Sequence, residues 1–215
     1  MSDDPHRGQP VATAGLPLAQ AAGVLLLVHG RGATARSILT LADPLHDPQW
    51  AYLAPQAAGG TWYPQGFLAP LEDNEPWLSS ALARLRRVLD QVAAAGPGLD
   101  RTVILGFSQG ACLALETAAR NPARYGAVVG LTGGLIGPPG RALDLAGDLA
   151  GTPVLLAAGD PDPHVPWWRV EETAAAFAAL GAEVDLRRYP GLPHTVNEEE
   201  LALTRELMRR AVGEA

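Results

Sequence analysis

Five serines occur in this chain, and only Ser108 stands where a hydroxyl could be made reactive. It is the centre of Gly106-Phe107-Ser108-Gln109-Gly110. The apolar run Thr102-Val103-Ile104-Leu105 before it reads as a strand, and Ala111-Cys112-Leu113-Ala114-Leu115-Glu116 after it reads as a helix. A strand that turns straight into a helix holds the serine in strained backbone geometry at the strand's end, with glycines on both sides letting strand and helix pass closely. A bulky residue at Gly106 or Gly110 is expected to clash. Ser2 lies in an expected tail and Ser37, Ser79 and Ser80 in expected helices, so none of these rivals Ser108.

A serine hydroxyl is a poor nucleophile near neutral pH. It needs an imidazole to take its proton and a carboxylate to hold that imidazole's tautomer and stabilise its charged form. This turn resembles the nucleophile elbow of α/β-hydrolases, and the resemblance implies the chain order serine, acid, histidine. His6, His29 and His46 precede Ser108, which leaves His164 and His194. His164 is too near the candidate acids in sequence to face them easily, whereas His194 follows the last expected strand; His194 is the expected base. Asp144 and Asp148 fall before a strand, at the wrong end of a parallel sheet, and Asp185 lies within an outer strand. Asp160 and Asp162 both follow a strand's carboxyl end, and spacing does not separate neighbours two apart.

The elements that must position these groups alternate regularly. Gly23-Val24-Leu25-Leu26-Leu27-Val28 is a strand apolar on both faces, ending in His29-Gly30-Arg31-Gly32, whose backbone N–H groups could face an oxyanion. A short helix over 35–42 and a strand over 50–54 follow. Residues 56–75 show neither period but hold Trp62, Tyr63 and Phe67, aromatics that either anchor the loop or line a substrate pocket. A helix over 77–95 carries Leu78, Leu82, Leu85, Leu89 and Val92 on one stripe. Beyond the serine come strands over 126–131, 153–158 and 183–189 and helices over 167–180 and 198–211, the last capped by Asn197. Leu135 and Ile136, in the loop over 132–152, and Trp167, at the start of the helix after the acid loop, are further expected substrate contacts. Residues 11–18 suggest a short edge hairpin, and residues 1–10 a flexible tail. This is one α/β domain over 1–215: a mostly parallel sheet with helices on both faces and its site at the carboxyl ends of the strands.

Composition narrows the function. The formal charge is −7 and the basic residues are scattered arginines without a single lysine, which argues against nucleic acid as a partner. Cys112 is the only cysteine, so an intramolecular disulfide and a thiolate-rich metal site are excluded; it reads as a small buried helix residue. No H-E-x-x-H pattern occurs, and neither metal nor cofactor is expected. The amino terminus is acidic where a signal peptide is basic, and no apolar run is long enough to span a bilayer, so a soluble cytoplasmic protein is expected.

Val28-His29-Gly30-Arg31-Gly32, Gly106-Phe107-Ser108-Gln109-Gly110, the segment from Gly159 through Asp160, Asp162 and Val165 to Pro166, and Gly191-Leu192-Pro193-His194-Thr195 together resemble the motifs of the phospholipase/carboxylesterase family. That family includes acyl-protein thioesterases and small bacterial carboxylesterases. The resemblance covers nearly the whole chain and implies an α/β-hydrolase fold without a large cap domain. It also implies that the acid is Asp162, the second acidic position of its motif, and that the oxyanion donors are the N–H groups of Arg31 and Gln109. Arg31 departs from the pattern, in which this position is commonly apolar; its guanidinium is expected to pair with Glu72, Asp73 or Glu75, or to attract a substrate anion. The segments Trp62-Tyr63-Pro64 and Asn74-Glu75-Pro76-Trp77 resemble a bacterial branch described as esterase, phospholipase or dienelactone-hydrolase-like, whereas true dienelactone hydrolases use cysteine where this chain has serine. The leading expectation is a serine hydrolase of carboxylic esters or thioesters with an acyl-enzyme on Ser108. A cofactor-free acyltransferase or perhydrolase on the same triad and a catalytically silent binding protein are the alternatives. The expected partner is a small ester or thioester, with a homodimer left open.

Overall fold

Leu25 and Leu27 turn to one side of their strand and Leu26 and Val28 to the other, and all four are fully buried. Such a strand needs cover on both faces. The computed structural model, which describes residues 4–141 and 146–213, supplies it. Its strands are β1 (Val11–Gly15), β2 (Gly23–Val28), β3 (Trp50–Pro55), β4 (Thr102–Phe107), β5 (Ala127–Leu131), β6 (Pro153–Asp160) and β7 (Glu183–Pro190). They form one sheet in the order β1-β3-β2-β4-β5-β6-β7, parallel throughout except for β1, which runs antiparallel to β3.

Helices α2 (Trp77–Ala95), α3 (Gln109–Arg120) and α4 (Trp167–Ala179) pack on the face that carries Leu26, Val28, Ile104 and Val128. The opposite face, with Leu25, Leu27, Val103 and Leu105, is covered by α1 (Ala35–Ile38) and α5 (Glu198–Ala211). On α2 the expected stripe is buried except Leu82, which is half-buried. Asn197 caps α5 as expected: its side chain accepts from the Glu200 N–H while the Glu200 carboxylate accepts from the Asn197 N–H. β7 is the half-exposed outer strand that its alternation predicts.

The amino-terminal segment differs from expectation. Residues 1–3 lie outside the described residues, as does Asp144, but Asp4 to Pro10 pack against the protein rather than trailing from it. His6 is fully buried, and its N–H donates to Ser80 Oγ at 2.9 Å. Arg84 donates to the Gln9 carbonyl, and Asp4 accepts from Ser80. Polar, turn-rich residues gave no local sign of this docking, because its partners on the rest of the fold stand more than forty residues away. Residues 11–18 form no hairpin either; β1 pairs with β3 and closes one edge of the sheet. Between β3 and α2 the chain forms only loops and short 3-10 turns. None of their helices is long and apolar enough to cross a membrane.

Candidate active site

Ser108 follows β4 with φ 57° and ψ −122°, a conformation that non-glycine residues rarely adopt and that costs about 1–3 kcal/mol. The surroundings hold it there. Its N–H donates to the Leu131 carbonyl of β5 at 3.0 Å, and its carbonyl accepts from Cys112 N at 3.1 Å in the first turn of α3. The two glycines are needed as expected: a Cβ on Gly106 would overlap the Gly110 carbonyl, and one on Gly110 the carbonyls of Val28 and His29.

The turn aims the hydroxyl at the loop after β7. His194 Nε2 lies 2.9 Å from Ser108 Oγ, and His194 Nδ1 lies 2.8 Å from Asp162 Oδ2. The other Asp162 oxygen accepts the N–H groups of His164 and Val165, both at 2.8 Å. Burial pushes the Asp162 carboxyl up, but the N–H of His164, the His194 side chain and the N–H of Val165 outweigh it and hold the group below its ordinary value. Asp162 therefore stays ionised, and its charge favours the imidazole tautomer with hydrogen on Nδ1, leaving Nε2 to accept from the serine. Asp160, two residues earlier, turns away and accepts from Arg188 Nε at 2.7 Å.

Beside Ser108 a cavity of about 450 Å³ opens, lined in part by Arg31, Tyr63, Phe67, Phe107, Ser108, Gln109 and His194. Neither the Arg31 nor the Gln109 N–H meets an acceptor among the described residues, and both residues belong to the cavity wall. Side chains set the spacing of these donors. Gln109 Oε1 accepts from Trp62 N at 3.0 Å and Gln109 Nε2 donates to the Tyr63 carbonyl at 2.9 Å. Trp62 Nε1 donates to the His29 carbonyl at 2.8 Å. One short segment, 61–63, thus ties the first residue of α3 to the loop that carries Arg31.

Four of the expected substrate contacts lie elsewhere. Trp62 is fully buried and serves as that tie, so anchoring wins over pocket lining for it, whereas Tyr63 and Phe67 do line the cavity. Leu135 and Ile136 are fully buried in the core under α2, α3 and α4. Their N–H groups are captured by Thr173 Oγ1 and by the buried Glu116 carboxylate, which draws both side chains away from the cavity. Trp167 packs under the Arg188 guanidinium, 5.2 Å from its ring centroid, and is likewise absent from the cavity wall. Phe107, His164 and Cys112 are among the lining residues that were not expected. His164, whose ring stands 4.8 Å from that of His194, was signalled only by its place in the acid loop. Cys112 lies one helical turn from Ser108, but burial pushes its thiol up to about 12, which makes it an unreactive wall atom.

The profile of the phospholipase/carboxylesterase family matches residues 15–210. The chain belongs to this family. A crystal structure of the phospholipase/carboxylesterase from Dyadobacter fermentans superimposes with a TM-score of 0.90 at 39% identity, over 94% of this chain and 96% of that one. Acyl-protein thioesterase 1 of Debaryomyces hansenii is 36% identical over 106 residues, 48% of this chain and 45% of that protein. The chain spans about half the length of the curated relatives it matches. Zea mays acyl-protein thioesterase 2 shares the α/β-hydrolase fold, with a TM-score of 0.75 at 21% identity.

Arg31, the departure from the family pattern, pairs with none of Glu72, Asp73 and Glu75. It donates to the Pro64 carbonyl at 2.8 Å and the Gln65 carbonyl at 2.5 Å. Glu75 accepts from Ser79 at the start of α2 instead. The guanidinium therefore anchors the aromatic loop through backbone acceptors.

Two further histidines brace this loop from behind. His29 presents Nδ1 to the Gly30 carbonyl at 2.8 Å and receives the Ala57 N–H on Nε2 at 3.1 Å. His6 presents Nε2 to the Trp62 carbonyl at 2.9 Å and receives the Ala58 N–H on Nδ1 at 3.1 Å. Both rings contact Trp62, at 4.9 Å and 5.5 Å between centroids. Each neutral ring is satisfied at both nitrogens. Burial lowers both pKa values, with the carbonyl contacts only partly opposing it. The unfolded chain then takes up protons near the ordinary value of 6.5 while the folded chain does not. This contribution to stability is intact above that value and is lost as pH falls below it. His6→Gln should remove up to one proton's worth of the acidic slope, about 1.4 kcal/mol per pH unit, in denaturant unfolding between pH 5 and 7. An unchanged slope would mean that the native ring accepts the proton.

Proposed function

We propose that this protein is a serine hydrolase of carboxylic esters or thioesters, with Ser108 as nucleophile, His194 as general base and Asp162 as the orienting acid. The observation that carries the reading is the unbroken chain of contacts from Ser108 Oγ through His194 to Asp162, opening on a cavity with two unused backbone donors. Membership of the phospholipase/carboxylesterase family supports it.

In this mechanism His194 Nε2 takes the hydroxyl proton as Oγ attacks the substrate carbonyl. The carbonyl oxygen gains negative charge and turns to the N–H groups of Arg31 and Gln109, at the amino-terminal end of α3, where the helix dipole also favours an anion. Asp162, ionised and fixed by two backbone donors, stabilises the imidazolium without taking its proton. His194 then protonates the leaving alcohol or thiol, and an acyl-enzyme remains on Ser108. Water, activated by the same histidine, releases the acid and restores the serine. The clamp from Gln109 to residues 61–63 keeps the donors in place, so they need not reorganise as charge develops.

Labelling with a fluorophosphonate tests the assignment, because the probe reacts with an activated serine and mimics the tetrahedral geometry. One equivalent should be incorporated at Ser108, and none in Ser108→Ala. Incorporation elsewhere, or an unreactive wild-type protein, would remove Ser108 as nucleophile. A panel of nitrophenyl esters from acetate to palmitate then gives the acyl length that the cavity accepts.

A further inference from the structure

Among the described residues that line the cavity, Arg31 alone carries a permanent charge. Several arginines elsewhere in the fold are neutralised by acids: Arg120 and Arg141 both bond Glu116, Arg188 bonds Asp160, and Arg86 bonds Asp90. Arg84, Arg124 and Arg205, like Arg31, bond backbone carbonyls, but none of the three lines the cavity beside Ser108. Arg31 forms no ion pair with a carboxylate of the described residues, and its two acceptors, the carbonyls of Pro64 and Gln65, are neutral. The guanidinium is therefore immobilised without being compensated.

A guanidinium has five N–H donors, and these contacts use two of them. Anchoring the loop explains the two. It does not account for a permanent charge left beside the nucleophile in a protein whose net charge is −7. A guanidinium already held in one orientation binds a planar anion with little further loss of side-chain freedom. Carboxylates and phosphates are the anions whose oxygens match its fork.

We propose that Arg31 selects esters or thioesters that bear an anionic oxygen group, a carboxylate or a phosphate, a few bonds from the scissile carbonyl. This inference rests on the reaction assigned to Ser108. It makes Arg31 a residue with two functions: its N–H faces the oxyanion, and its side chain draws the substrate toward that N–H. The neutral aromatic walls, Tyr63, Phe67 and Phe107, would then cover the connecting carbons.

The test compares, within each variant, kcat/KM for the mono-4-nitrophenyl ester of glutarate with that for the neutral 4-nitrophenyl valerate. The 4-nitrophenyl ester of 4-phosphonobutyrate provides the phosphate-like arm. Comparing a ratio within one variant cancels any general damage from moving the loop. The anionic-to-neutral ratio should fall about tenfold in Arg31→Gln and recover in part in Arg31→Lys. In wild type the ratio should also fall as salt is raised. The larger of the two anionic ratios tells whether the site suits a carboxylate or a phosphate. An equal ratio in wild type and Arg31→Gln would overturn the proposal and leave Arg31 as an anchor only. Should wild type hydrolyse none of the esters and resist the fluorophosphonate, the hydrolase reading fails by itself. The anion site is then decided by calorimetric titration of glutarate and of inorganic phosphate: binding lost in Arg31→Gln supports it, and equal or absent binding overturns it.

Discussion

Ser108→Ala, His194→Ala and Asp162→Asn should each lower kcat by roughly three orders of magnitude or more, measured on a nitrophenyl ester that wild type turns over. In the proposed mechanism the three groups, joined by contacts of 2.9 Å and 2.8 Å, act as one unit, so Ser108→Ala combined with His194→Ala should fall little further than either alone. Asp162→Asn is the most informative of the set. It removes the charge that stabilises the imidazolium while keeping the shape of the side chain. Asp160→Asn is the control, since its carboxylate binds the exposed Arg188 at the protein surface and contributes about 0–1 kcal/mol to stability. Activity lost through Asp160 and retained through Asp162 would reverse the assignment of the acid.

The second large effect concerns the backbone rather than the chemistry. Gly110→Ala should destabilise the protein by about 3 kcal/mol or more, because the added carbon overlaps the carbonyls of Val28 and His29. Those carbonyls end a strand hydrogen-bonded on both sides, by β3 and β4, and cannot yield as the tip of a side chain could. For a chain of this size the shift in Tm is about 6–12 °C, readable by circular dichroism or calorimetry. Gly66→Ala is the comparison: a carbon added there meets nothing within 4 Å, so Tm should barely move. A Gly110→Ala variant with the wild-type Tm would show that the strand and helix can separate at the turn without loss.

These two expectations differ in how legible they were. The strand-to-helix turn at Ser108 and the glycines flanking it could be read from a few consecutive residues, since periodicity and turn chemistry are local properties. His194 followed from chain order. The positions of β2, β4, α2 and α5 likewise agree with their apolar periods, because burial on one face or two is written directly into those runs. The choice of Asp162 over Asp160 was not local. Spacing left both open and only the family motif favoured one, whereas in the structure the two carboxylates point to different partners on the loop after β7 and on β7 itself.

What only the tertiary structure decided has a common physical origin. Whether an aromatic or aliphatic loop residue enters the core or faces a cavity depends on which distant polar groups capture its backbone. Trp62 is held by Gln109, 47 residues on, and Ile136 by Glu116, 20 residues back. The docking of His6 depends on Trp62 and Ser80, 56 and 74 residues away. Arg31 was recognisable in the sequence as an unusual charge, but the choice of backbone carbonyls over nearby acids depended on where Pro64 and Gln65 came to rest. Residue type and order therefore determined the strands, the helices and the choice of Ser108 and His194 as candidate nucleophile and base. The acid's orientation, the walls of the cavity and the bracing of its loops were decided by contacts that exist only once the sheet has brought the chain together.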